Sequence, residues 1–336
     1  MRNSSIDTHS IHSFATATDA AATSFVNQWL QQPLRGAYCE LHELTSARFA
    51  AANWLLRQRK HATNPQFGSI RSAIRGRGLE FEEVRAYQAG DDVRNIDWRV
   101  TARSGRPFTK LFREERERPV LLVVDQSQPM FFGSRSCFKS KLAAWLGAVL
   151  AWAAIENGDR IGGLIIGNNE RREIRPRRAR KTTMSWLNLL LDFNRQLKRD
   201  TQLPDAAQSL LTALTDLRRI ARPGSTIYLI SDFHGSEHPQ VREQLYALAR
   251  HCEVRALFIF DPLEQELPPP ALYTVTDSAQ RFVLDSGERL LREQHRNKFS
   301  AQRDGLQQLL NSLGIPLTTI STNEPPLQAF TARTKS

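Results

Sequence analysis

Hydrophobic residues follow two different rhythms along this chain, and the change falls near Pro119. From Gly68 to Arg118, apolar and charged residues alternate and are interrupted by Gly76, Gly78, Gly90 and Gly105, which predicts short antiparallel strands and turns. Beyond Pro119 come short runs without polar alternation. Val120–Val124, Ile161–Ile166, Ile227–Ile230 and Val254–Phe260 are rich in β-branched residues, as strands buried on both faces of a parallel sheet are. Periodic segments between and after them predict helices at Lys139–Ile155, Thr183–Leu197, Asp205–Ile220, Gln240–His251 and Glu288–Leu313, the last stopped by Gly314 and Pro316. Further strands are expected near Arg172–Arg175 and at Ile315–Ile320. This alternation implies parallel strands with helices on both sheet faces.

Upstream, Leu44, Phe49, Trp54 and Leu55 fall near one face of a helix expected from Leu41 to Arg59. The predicted organisation has four parts. Small polar residues make 1–36 a disordered segment. A helix plus β-rich subdomain occupies 37–118, a doubly wound, mostly parallel α/β domain occupies 119–320, and a polar tail runs over 321–336. The start of the chain carries no apolar core of a secretory signal. Leu142–Ile155, the longest uncharged apolar segment, has fourteen residues, short of a bilayer span. Cys39, Cys137 and Cys252 show no ligand spacing, which fits core thiols in a reducing compartment. The expectation is a cytoplasmic protein with no membrane span.

Two of the strand-like runs end on an aspartate. Val120–Val124 leads into Asp125-Gln126-Ser127, and Ile227–Ile230 leads into Ser231-Asp232. In open α/β sheets ligands bind at the carboxyl ends of strands, where the chain order reverses. Neighbouring strands would bring Asp125, Ser127 and Asp232 to one such edge. Clustered oxygens of that kind suit a hard cation or a polar partner group. The alternative is that the aspartates cap helix N-termini or bond loop amides.

Several blocks carry a resemblance. They are Gly76-Arg77-Gly78-Leu79-Glu80-Phe81, the long block Arg85-Ala86-Tyr87-Gln88-Ala89-Gly90-Asp91-Asp92-Val93-Arg94-Asn95-Ile96-Asp97-Trp98, Ala102-Arg103, Gly158-Asp159-Arg160, Ser231-Asp232-Phe233, and Asp261-Pro262-Leu263-Glu264. On these residues the stretch from Gly68 to about Asp285 resembles a bacterial family described as a domain of unknown function and related to the von Willebrand factor A fold. Its members are commonly encoded beside MoxR-type AAA+ ATPases. The resemblance implies a von Willebrand factor A-like (Rossmann-type) sheet and a metal-ion-dependent adhesion site of the pattern Asp-x-Ser-x-Ser. Asp125 and Ser127 match its first positions, Asp232 matches its last, and Thr201 is the candidate second-loop threonine. Position 129 is proline, which offers no hydroxyl. The expected metal site at Asp125, Ser127 and Asp232 is therefore degenerate, with no cofactor or a weakly bound Mg²⁺.

Catalytic readings find little support. Gly76-Arg77-Gly78 lacks the Gly-Lys-Ser/Thr of a phosphate loop, Ser127 has no identifiable base, and no Gly-x-Ser-x-Gly elbow occurs. The aspartates and arginines of the block from Arg85 to Arg103 are expected to pair structurally, with Tyr87 and Trp98 as packing anchors. The net charge of +11 favours acidic partners. Its densest source is Arg171, Arg172, Arg175, Arg177, Arg178, Arg180 and Lys181, either a solvated loop or an anion-binding surface. No aromatic residue interleaves with these cations, which disfavours single-stranded nucleic acid. The function expected is a non-enzymatic interaction adaptor working with a MoxR-type AAA+ ATPase and with other von Willebrand factor A proteins. Its partner surface combines Asp125, Ser127 and Asp232 with the basic run. A basic nucleic-acid or anion-binding module is the alternative.

Overall fold

The computed structural model describes residues 31–61, 79–88, 91–114, 119–168, 170–178, 180–198, 206–276 and 281–330. The chain divides into two units, one made of Met1–His61 with Arg118–Ser336 and the other of Ala62–Glu117. In chain order the first elements are helix α1 (Leu41–His61), strand β1 (Leu79–Ala86), helix α2 (Trp98–Ser104) and strand β2 (Phe108–Glu114). The sheet region follows with β3 (Pro119–Asp125), α3 (Lys139–Glu156), β4 (Arg160–Ile166), β5 (Arg171–Arg177), α4 (Arg180–Gln196) and α5 (Ala206–Ile220). Next come β6 (Thr226–Ser231), α6 (Pro239–Ala249), β7 (Glu253–Phe260) and the short α7 (Pro262–Gln265). The last elements are β8 (Leu272–Thr276), β9 (Arg281–Asp285), α8 (Arg289–Ser312) and β10 (Leu317–Ser321).

Six strands form the main sheet in the order β10-β7-β6-β3-β4-β5. All pairs are parallel except β4 with β5. The chain runs outward from β3 to β5, then returns to β6 and runs outward the other way. The switch point thus lies between β3 and β6, as in doubly wound α/β folds. This is the doubly wound, mostly parallel α/β class expected from the sequence.

The strand runs lack polar alternation because both faces are covered. Val120, Leu122 and Val124 enter one core with α1, α3 and α4, while Leu121 and Val123 enter the other with α5, α6 and α8. Successive side chains of a strand point to opposite faces, so both parities must be apolar. Gly163 on β4 has φ 151°, and a Cβ there would lie 1.9 Å from the Leu122 carbonyl oxygen, so only glycine fits. Helix α3 is buried almost all round. Its Gly147 lets it lie against Val124, where a Cβ would come within 2.8 Å of a side-chain methyl.

Three sequence boundaries are corrected. Helix α1 belongs with the sheet, not with the β-rich segment: Leu44, Ala47, Ala50 and Ala51 are buried beside α3, and Trp152 Nε1 donates to the Leu44 carbonyl at 3.0 Å. The side chains of Trp54 and Leu55 lie outside the described residues. Within the segment expected to be disordered, Leu34 is buried and Gly36 exchanges backbone hydrogen bonds with Ser136 and Phe138. Residues 1–30 lie outside the described residues. Within the expected polar tail, Leu327 is buried, and Thr322 Oγ1 donates to Asp261 Oδ2 at 2.6 Å. The hairpin of β8 and β9 had not been foreseen.

The smaller unit contains the expected antiparallel pair, β1 with β2, carrying a bulge between Phe81 and Glu83. Residues Gly76 to Gly78 and Ala89 to Gly90 lie outside the described residues. Trp98 is 69% exposed, so it is not the packing anchor that the sequence suggested. Its position explains this, since it opens a helix of only seven residues.

Candidate functional site at the carboxyl edge of the sheet

Asp125 is the last residue of β3, and Asp232 directly follows β6, so the switch point brings both carboxylates together. Asp125 is 8% exposed. Its Oδ1 accepts from the Ser127 backbone N–H at 2.9 Å, and its Oδ2 accepts from Ser231 Oγ at 2.6 Å. Asp232 is 4% exposed, and its Oδ1 accepts from the His234 backbone N–H at 3.1 Å. Its Oδ2 accepts from Lys139 Nζ at 2.8 Å. The same ammonium donates to Glu264 Oε1 at 2.7 Å, and the Lys139 side chain is 1% exposed.

Environment sets the two aspartates apart. Burial pushes the Asp125 carboxyl above the usual range, and the negative charge of Asp232 pushes it further, against hydrogen bonds from Ser127 and Ser231. Burial also opposes ionisation of Asp232, but the charge and hydrogen bond of Lys139, with help from His234, hold it below the usual range. Burial would lower the Lys139 pKa, yet Asp232 and Glu264 together raise it. Two carboxylates from separate elements therefore keep one ammonium charged inside the protein.

The loop after β6 is strained. Phe233 has φ 52°, uncommon for a bulky non-glycine residue, and it is buried. Its N–H donates to Ser231 Oγ at 3.0 Å. This tight turn wraps the Asp232 carboxylate and leaves His234 exposed at the rim.

A resident divalent ion does not fit the described donors. Mg²⁺ requires near-octahedral oxygens at about 2.0–2.1 Å. Pro129 removes one oxygen, both Asp125 oxygens already accept hydrogen bonds, and Lys139 holds Asp232 Oδ2. The cavity lined by Asp125, Ser127, Pro129, Ser209 and Asp232 measures about 10 Å³. That is room for about one water, not for a hydrated ion. The candidate threonine Thr201 lies outside the described residues. Among the described residues no group of three or more His, Cys, Asp or Glu side chains is arranged to hold a metal.

The basic run does not gather at this edge. Arg171 pairs in register with Ile166 at the carboxyl end of β4, but Arg177 pairs with Ile161 at its other end. The run therefore travels away from Asp125 along the outer strand. Arg171, Arg172, Arg175, Arg177 and Arg178 are largely exposed, as are Arg180 and Lys181 at the start of α4. Some of this charge is met locally: Arg171 binds Asp216 at 3.0 Å and Arg172 binds Glu170 at 3.3 Å.

Lys139, Ser231 and Glu264 were not singled out from the sequence as site residues. The signal for Lys139 was present: Lys139 and Lys141 open an otherwise apolar helix at its positive dipole end, where a cation is unfavourable without carboxylates nearby. Among the described residues no helix is long and apolar enough to cross a membrane.

Uncharacterized protein Rv1480 of Mycobacterium tuberculosis is 31% identical over 252 residues, covering 74% of this chain and 77% of that protein. Uncharacterized protein Mb1516 of Mycobacterium bovis matches equally. Among solved structures, BatB from Bacteroides thetaiotaomicron aligns with a TM-score of 0.34 at 13% identity, covering 59% of this chain and 98% of that one. A von Willebrand factor type A protein from Catenulispora acidiphila aligns with a TM-score of 0.34 at 13% identity, covering 67% of this chain and 42% of that one. The family model described as protein of unknown function DUF58 matches residues 83–305, and the chain belongs to that family.

Proposed function

We propose that this chain is a non-enzymatic adaptor that docks partner proteins at the carboxyl edge of its main sheet. The partner proposed is a MoxR-type AAA+ ATPase, working in the assembly, maturation or stress-related remodelling of protein complexes in the cytoplasm. One observation carries the reading. A groove of about 640 Å³ opens between the turn after β6 and helix α8, and is lined by His234, Glu237, Arg242, Lys298, Leu306 and Leu309. Its cations Arg242 and Lys298 outnumber its single carboxylate, and Leu306 and Leu309 add apolar lining, which suits an acidic, partly apolar segment of a partner. The buried carboxylates of Asp125 and Asp232 are engaged by serine and lysine.

The test is co-purification of the full-length chain with a MoxR-type AAA+ ATPase from the same organism. Arg242→Glu/Lys298→Glu is expected to lose the ATPase while melting like the wild type. Equal retention by both proteins places docking elsewhere. Failure of the wild type to retain the ATPase removes the partnership.

The exposed arginines of β5 favour a second reading, an anion-binding surface on the outer strand. Arg175→Glu/Arg177→Glu then abolishes salt-dependent DNA binding. Absence of DNA binding by the wild type removes this reading.

A further inference from the structure

Lys139 is an expensive residue to bury. Moving an ammonium out of water costs several kcal/mol even after relaxation, and only close, well-shaped counter-charges offset it. The N-terminus of a helix adds a positive partial charge at that very position. Lys139 is the first residue of α3, lies under the sheet's carboxyl edge, and is 1% exposed. Its two acceptors come from different parts of the fold, Asp232 after β6 and Glu264 in α7. Glu264 is itself held, since its Oε2 accepts from the Asp261 N–H at 2.7 Å in a capping box. One side chain thus ties three elements around the switch point.

We infer that Lys139 is a built-in cation standing in for the divalent ion of an adhesion-type site, so that this edge assembles without metal. Asp232, which matches the closing aspartate of the adhesion-type pattern, accepts through Oδ2 from the Lys139 ammonium. Pro129 withdraws the hydroxyl from the first loop, a loss of no consequence where there is no ion to coordinate. On the other side of Asp232, the cavity it shares with Asp125, Ser127 and Pro129 measures about 10 Å³, too little for a hydrated ion. A tethered ammonium supplies positive charge at fixed stoichiometry and has no open coordination position. The inference concerns how the site is built and does not depend on which partner docks beside it.

Thermal melting of the full chain in Mg²⁺, Mn²⁺, Ca²⁺ or EDTA tests this. The wild type is expected to melt at the same temperature in all four. Lys139→Ala leaves Asp232 and Glu264 facing each other across an empty space, and its lowered melting temperature is expected to rise again with Mn²⁺ or Ca²⁺. A wild-type protein stabilised by an ion and destabilised by EDTA overturns the inference. So does a Lys139→Ala protein that ignores all three ions. Should Lys139→Ala not fold in any of these conditions, Lys139→Met and the charge-balanced Lys139→Met/Asp232→Asn decide the matter. A double variant that melts well above the single one supports a counter-charge role, and one that melts no higher overturns it.

Discussion

Charged residues crowd two regions of this chain, and the regions are built in opposite ways. In the smaller unit Asp91 accepts from Arg85 at 2.7 Å, Asp92 caps a short 3₁₀ turn, and Asp97 caps α2 through the N–H groups of Arg99 and Val100. These bonds are short in sequence range and lie at the surface of their unit. At the sheet edge, Lys139 reaches across more than ninety residues to Asp232, and both side chains are almost fully buried. The arginine–aspartate block looked the denser network in the sequence, yet only the lysine cluster is buried. Density of charge along a chain is thus a poor guide to its energetic weight, because desolvation decides that weight.

Four expectations sharpen this contrast, from the largest effect to the smallest. Lys139→Met leaves the buried Asp232 and the half-buried Glu264 without their cation and is expected to cost about 3–5 kcal/mol, measured by urea unfolding. A loss no greater than that of a surface lysine would erase the distinction between the regions. Lys141→Met is expected to cost less, about 2 kcal/mol, because its partner Glu43 at 2.8 Å keeps access to water. Its loss should loosen α1 on α3, which hydrogen exchange along α1 would report.

Asp97→Ala removes a helix cap and should cost about 1 kcal/mol. A loss as large as that of Lys139→Met would show that the smaller unit hides a buried network. The smallest change is expected for Asp91→Asn, whose half-buried carboxylate accepts from Arg85 and the Gln88 N–H within its own loop: the melting curve should barely move.

The two buried aspartates provide a test by pH. The Asp232 pKa is lowered, so its contribution is present above the unfolded value and is lost as pH falls through the folded one. The Asp125 pKa is raised, so its contribution is present below the unfolded value and is lost as pH rises through the folded one. Asp125→Asn should therefore be more stable than wild type at neutral pH, an advantage that disappears in acid below about pH 4. Asp232→Asn should be less stable at neutral pH. Urea melts across a pH series check both, and the same sign for both variants would refute the assignment of charge.

Much of the sheet was legible because burial on both faces leaves a direct mark. Val120–Val124 and Ile227–Ile230 could only be strands sandwiched between helices, and each sits in β3 or β6 as expected. The hairpin Leu272–Thr276 with Arg281–Asp285 was harder to see. Its strands are short, and Leu272, Phe282 and Val283 are exposed, so no core imposes a pattern on them. Helix α1 was legible as a helix but not as part of the sheet domain, since an apolar face does not say what covers it.

The sequence alone determined the strand and helix rhythm, the doubly wound class and the position of Asp125 and Asp232 at strand ends. Those features depend on local periodicity and on the two-sided burial of parallel strands, both written within a few residues. Only the tertiary structure decided what neutralises those aspartates and where the basic run lies. Lys139 and Glu264 stand 125 residues apart, and they meet because three separate chain crossings converge on one sheet edge. The arginines from Arg171 to Arg177, contiguous in sequence, are drawn along the length of an antiparallel edge strand and away from that edge. Contacts of long sequence range are made by the fold, so their partners cannot be read from spacing.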